Sequence, residues 1–184
     1  MKNKILMLLF FISIVTFAQQ KKVFIEVTFN DGDFKGTHKF YPEKGNFVSQ
    51  INLELFEGVS NLNASKLVAE NGMQIHYINR HFLGEANKGS YKAKKHTSGC
   101  GALNFLDFKN EKPYRRINGN FSGCTNTKIT STTPWKKRTI KDRRFVTGSF
   151  TDEVAFEYVM DDGSKKNIKT TVSVKFLARE SRRK

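Results

Sequence analysis

Four histidines, two cysteines and the carboxylates are the residues of this chain that could make or break bonds. His76 and His81 stand five apart in HYINRH. On a regular strand that spacing points them to opposite faces, so they do not share a metal unless the strand bends. No H-E-x-x-H, nucleophile elbow, P-loop or dinucleotide fingerprint occurs. Asp161-Asp162-Gly163 matches a fragment of a calcium loop, but the further oxygen ligands are missing and a hairpin turn accounts for it. Ser98 and Cys100 beside His96 could be drawn as nucleophile and base, yet a disulfide explains the cysteine. These residues assign no catalytic set, no metal and no cofactor. A hydrolase would require the fold to gather two or more of His76, His81, His96, Asp107, Asp152 and Glu157.

The denser chemical signal is charge. Between Pro134 and Phe145 the chain reads PWKKRTIKDRRF, with Lys136, Lys137, Arg138, Lys141, Arg143 and Arg144 set against Asp142 alone. Trp135, the single tryptophan, stands at the edge of this cluster. The polar stretch TNTKITSTTPW before it lacks an apolar pattern, which places the cluster on an exposed loop entering a strand at Phe145. Smaller cationic sets are Lys92, Lys94 and Lys95, then Arg115 and Arg116, then Arg179, Arg182, Arg183 and Lys184. Such patches attract polyanions by counterion release, without reading a sequence. An aromatic ring alongside can add stacking on bases or sugars. The plain alternative is a solvated charged face.

Which polyanion depends on the compartment. The chain opens MKNKILMLLFFISIVTFAQQ: two lysines, an apolar run, then the small-x-small pattern Thr16-Phe17-Ala18. This is the layout of a secretory signal peptide over residues 1–18. The run of about 14 residues is short of the ~20 that span a bilayer, so cleavage is expected and no integral span remains. Removing 18 of the 184 residues, two of them lysines, leaves 30 Lys+Arg against 17 Asp+Glu. The expected partners of such an exported basic protein are anionic glycan, lipopolysaccharide or extracellular nucleic acid. The alternatives are a structural or adhesion protein of the envelope that pairs through edge strands, and the small hydrolase already described. Cys100 and Cys124 are an even pair in an exported chain and predict a disulfide. Closing a loop of about 25 residues stabilises by roughly 3 kcal/mol on the chain-entropy account.

The elements that must position these residues are strands. KVFIEVTF alternates Val23, Ile25, Val27 and Phe29 against Glu26 and Thr28, the period of a half-buried strand. INLELF repeats it. SKLVAE could be a strand leading into the Asn71-Gly72 turn or a short helix stopped by Gly72, and its neighbours favour strand. Val154, Phe156 and Tyr158 alternate into a turn, and Ile168 through Phe176 alternate out of it. About eight to ten short strands with regular turns predict one all-β domain over residues 19–178, an antiparallel β-sandwich or else an open β-barrel. LARESRRK loses the alternation, so residues 179–184 are expected to fray as a basic tail.

One pattern occurs twice: INGNFSG at 117–123 and VTGSFTD at 146–152. Strand parity puts Gly119 beside Phe121, and Gly148 beside Phe150, on the apolar face. Glycine there marks a bulge, a bend or a close approach, and an aromatic could lie across the gap. Cys124 should point away from Phe121, and the disulfide should lie off the core, unless Gly123 breaks the phase. The pair, with GSYKAKK and GALNFLDF before it, resembles the sGxFs strand motif of small exported β-sandwich families of Gram-negative bacteria, many of them lipid-anchored. The resemblance covers Gly89 to Phe156 and implies an exported sandwich. It brings no catalytic residues, and this chain lacks a lipid-accepting cysteine near the cut.

Overall fold

The first strand shows how the chain builds every later one. In β1 (Phe24–Phe29) Ile25, Val27 and Phe29 are buried while Phe24, Glu26 and Thr28 stay partly exposed. A chain with that period gains by joining a sheet with one face turned inward. The computed structural model describes residues 23–30, 34–109, 112–159 and 163–183. The side chains of 107–109, 112–117, 156–159, 166, 168 and 183 lie outside that description, as does the whole signal segment 1–18. The strands after β1 are β2 (Gly36–Pro42), β3 (Gln50–Phe56), β4 (Val59–Ala69), β5 (Gln74–Leu83) and β6 (Gly89–Tyr91). Then come β7 (Gly101–Lys109), β8 (Lys112–Phe121), β9 (Thr127–Thr132), β10 (Lys141–Val159) and β11 (Lys165–Arg183).

The fold is all-β as expected, with no helix among the described residues. None there is therefore long and apolar enough to cross a membrane. The 11 strands are hydrogen-bonded into one sheet in the order β2-β1-β11-β3-β4-β5-β7-β8-β10-β9-β6, and the further pairings β2–β4 and β11–β10 turn that order back on itself. Following the pairings from β1 through β2, β4, β5, β7, β8, β10 and β11 returns to β1, so the connections form a ring. The sheet is mixed instead of wholly antiparallel, because β3 runs parallel to β11 at Asn52 and Leu53. Residues 65–69 belong to β4, which settles the choice between strand and helix for that segment.

The inward side chains form one continuous core. Phe105 on β7 receives Phe29, Phe34 and Phe40 edge-on, with ring centroids 5.6, 5.2 and 5.8 Å away. Such edge-to-face contacts suit the ring quadrupoles.

β10 and β11 are the longest elements, 19 residues each, and pair without a break from Val159↔Lys165 to Lys141↔Arg183. This overturns the expected frayed tail: Arg179 to Arg183 are the last residues of β11. Alternation persists there in charge, since Glu180 occupies the inward position that apolar residues hold earlier in the strand, and it is 2 % exposed. An arginine opposite explains how the chain tolerates it.

Candidate functional site

Three of the six cations of the basic stretch, Lys141, Arg143 and Arg144, lie on a strand, which changes its chemistry. Lys141 to Phe145 open β10, so the exposed loop expected up to Phe145 ends at Ile140. Period two then sorts the charges. Asp142 and Arg144 turn inward and are buried, while Lys141 and Arg143 turn outward and are half-exposed. On β11 Glu180 turns inward and Arg179 outward. Both carboxylates of this end of the hairpin therefore leave the outer face.

The inward set is self-satisfied. Arg144 donates Nε to Glu180 Oε2 at 2.5 Å and Nη1 to Asn87 Oδ1 at 3.0 Å, and Nη2 reaches the Ala86 carbonyl and the half-exposed Glu85. The Trp135 ring lies between two guanidiniums, Arg144 at 4.5 Å and Arg182 at 4.3 Å from its centroid. Arg182 Nε also lies 3.6 Å from Asp142 Oδ2. Burial pushes the Glu180 carboxyl above the ordinary carboxylate range, more than the hydrogen bond from Arg144 pulls it down. Trp135 and Arg144, expected in the exposed binding set, are instead engaged with one another, and the tryptophan face is occupied by arginine.

The outward set has no such partners. The backbones of Lys136 and Arg143 exchange both N–H···O bonds, at 2.7 and 3.0 Å, which adds residue 136 as a further rung beside β10. Directly opposed residues share a face, so Lys136 joins Arg143 outside. Burial first, and then the like charges of Arg143 and Arg138, lower the pKa of Arg179. None of Lys136, Arg138, Lys141, Arg143 or Arg179 has a carboxylate within ion-pair distance among the described residues. Arg143 Nε is buried without a hydrogen-bond partner. Lys137 and Arg138 are exposed in the loop ahead of Ile140.

The residues that a hydrolase would need are only partly brought together. His81 and His96 meet edge-on with ring centroids 5.0 Å apart, and His81 Nδ1 lies 2.5 Å from Asn61 Oδ1. Burial, then the neighbouring His96 and Arg80, push the His81 pKa down. His76 is exposed, the side chains of Asp107 and Glu157 lie outside the described residues, and Asp152 is engaged elsewhere. Among the described residues no group of three His, Cys, Asp or Glu could hold a metal. Arg115, Arg116 and the Asp161-Asp162 turn also fall outside what can be described.

Sequence reasoning missed the most buried ion pair among the described residues. Arg80 on β5 and Asp152 on β10 are fully dry, with Nη1 to Oδ2 at 2.5 Å. Arg80 also donates to the Thr125 carbonyl, and its guanidinium stacks 4.5 Å from the Phe150 centroid and 5.7 Å from that of Phe121. Phe121 and Phe150, T-shaped at 5.1 Å, are the phenylalanines of the two repeated motifs. Their glycines are structural. A Cβ on Gly148 would lie 2.5 Å from Phe176 Cζ and 2.9 Å from the Lys128 carbonyl, and β9 shifts register at that point. Gly119 is buried between Leu103 and Phe156 in the register. A Cβ on Gly123 would lie 2.6 Å from Asp152 Oδ1, so the first motif makes room for the carboxylate of the second.

Cys100 and Cys124 are disulfide-bonded, with Cα atoms 5.4 Å apart. The strand phase does break before the cysteine: β8 ends at Phe121, ahead of Gly123, and Cys124 itself has φ 51°. Cys100 is buried and Cys124 half-buried, beside the main core cluster. No family model matches this chain, and no curated protein or solved structure matches it either.

Proposed function

We propose that this protein is a non-catalytic, exported binding protein that holds an anionic polymer or envelope surface on the outer face of the β10–β11 end. The observation that carries this reading is the sorting of charge by strand parity. Asp142 and Glu180 face inward, engaged by the buried Arg144 and the exposed Arg182, and Lys136, Lys141, Arg143 and Arg179 are left facing out without carboxylates among the described residues. A randomly solvated basic strand would keep its acids available to neutralise its bases. Here the acids are withdrawn, and the like charges of Arg143 and Arg138 add to burial in lowering the pKa of Arg179, a repulsion that an arriving polyanion would relieve. The signal-peptide pattern and the Cys100–Cys124 bond support export, and anionic glycan, lipopolysaccharide and extracellular nucleic acid remain the proposed partners. Trp135 contributes by holding Arg144 and Arg182 in place, not by stacking on the ligand.

The test is retention on immobilised heparin across a salt series. Retention at low salt should weaken linearly on logarithmic axes as salt rises, because each neutralised charge releases counterions. Arg143→Gln with Arg179→Gln should lower both retention and slope. Lys169→Gln, ten residues from Arg179 along β11, should change neither. Absence of binding at low salt, or a slope indifferent to Arg143 and Arg179, would overturn the reading.

A further inference from the structure

Six large apolar side chains are exposed among the described residues: Phe47, Val48, Leu55, Phe56, Leu83 and Ile140. Four of them belong to the cationic end. β3 runs parallel to β11 with Leu53 beside Glu180, so β3 reaches Leu55 and Phe56 as β11 approaches Arg183. The tight β3–β4 turn at Glu57-Gly58, both with positive φ, places Phe56 opposite Val59, and Val59 is opposite Leu83 on β5. The Gly84 N–H donates to the Gly58 carbonyl at 2.7 Å, fastening the two turns together. Ile140 immediately precedes Lys141, the residue opposite Arg183. Leu55 is 45 %, Phe56 66 %, Leu83 43 % and Ile140 76 % exposed.

The charges around them are mainly positive. Lys92, whose carbonyl receives the Leu83 N–H at 2.9 Å, joins Lys136, Lys137, Arg138 and Lys141. With Asp142 and Glu180 buried, the exposed carboxylates at this end among the described residues are Glu54, Glu57 and Glu85, the last of them facing Arg144. We infer that this end docks on an anionic lipid surface, with Phe56 and Ile140 entering the headgroup boundary and the lysines and arginines meeting the phosphates. This rests on the reading that the β10–β11 end binds polyanions, and it names which one. A soluble polyanion calls for the cations alone, whereas projecting turns that carry aromatic and aliphatic tips beside cations match the two-part chemistry of an interface. Apolar insertion and headgroup attraction act together there, and neither alone gives lasting attachment.

Flotation of the purified chain with vesicles separates the possibilities. Vesicles containing phosphatidylglycerol should carry the protein, and vesicles of phosphatidylcholine alone should not. Phe56→Ser with Ile140→Ser should weaken vesicle binding about tenfold or more while leaving heparin retention unchanged. Phe47→Ser, which alters an exposed residue on the segment entering the opposite end of β3, should alter neither. Heparin retention without vesicle binding overturns this inference and leaves the polyanion reading standing. Loss of both overturns both. Vesicle binding indifferent to Phe56 and Ile140 would reduce the contact to charge alone and also overturn the inference.

Discussion

Arg80 and Arg144 each approach a buried carboxylate at 2.5 Å, one in the middle of the fold and one at its basic end, yet they are held in different ways. Among the described residues Arg80 has a single carboxylate, Asp152, two threonines that supply oxygens, and phenylalanine rings against its guanidinium. Arg144 has two carboxylates, an asparagine, a carbonyl and a tryptophan. The contrast shows that the same pair of residue types can be a sealed internal clasp or a redundant edge network. What decides is how many other acceptors the surrounding strands deliver. β5 and β10 are not neighbours in the sheet, so the Arg80–Asp152 pair ties strands across the interior; Arg144 and Glu180 are direct partners in the β10–β11 ladder.

The largest way to break that comparison is Asp152→Ala. It leaves a fully buried guanidinium without the one carboxylate that pairs with it among the described residues, and should cost about 3–5 kcal/mol in urea unfolding. Glu180→Ala should cost clearly less, because Glu85 and Asn87 still receive Arg144. Equal losses would mean that the extra acceptors contribute nothing. Replacing Arg80 by Met and Asp152 by Leu together should recover most of the loss, since a well-packed apolar pair avoids the desolvation of two ions.

How far these sites were legible follows from what period two encodes. Arg80 shares inward parity with Ile78 and Phe82, Asp152 with Phe150 and Val154, and Glu180 with Phe176 and Ala178. A charge on an apolar parity is readable, and these three could have been flagged as buried ions. Their pairing could not, because alternation gives the face of a residue and not the strand that lies across from it. The same limit explains Trp135, whose ring is sandwiched only because Lys136 pairs beside Arg143 and β11 continues to Arg182. The hairpins, the all-β class and the disulfide were legible because each rests on local spacing or on residue count. The glycines were legible as structural, but the close approach of Gly123 to Asp152 links motifs about thirty residues apart that only the folded sheet brings together.

Gly148→Ala comes next in size, and it probes the wall around the first pair. The added methyl group would meet a fully buried ring at Phe176 and a backbone carbonyl at Lys128, and neither can swing away. Overpacking of this kind should cost about 1–3 kcal/mol. A neutral effect in urea unfolding would show that β9 gives way at its register shift. The corresponding probe at the basic end is Trp135→Leu. That change removes the aromatic face between Arg144 and Arg182 while keeping an apolar side chain, and should cost about 1 kcal/mol. Heparin retention should persist in that variant, because the outward cations are unchanged. Loss of retention with stability intact would return the tryptophan to the binding surface.

The smallest effect is one of sign. Burial raises the Glu180 carboxyl above its ordinary value, the Arg144 hydrogen bond and charge pull it back, Glu85 pushes it further up and Arg182 lowers it. A carboxyl whose folded pKa exceeds its unfolded value binds a proton more tightly when folded. Stability then rises as pH falls through the folded value toward the unfolded one, about 4.3, and becomes flat below it. This is opposite to the usual ion-paired carboxylate, which loses stability on acidification. The measurement is urea unfolding of the parent chain and of Glu180→Gln at matched pH values. The stability of the parent minus that of the variant should increase from neutral pH down to the ordinary glutamate range. A difference that shrinks on acidification would mean that the attraction of Arg144 outweighs the burial of Glu180, and the basic end would then owe its buried acid to net electrostatic gain, not to redundancy of partners.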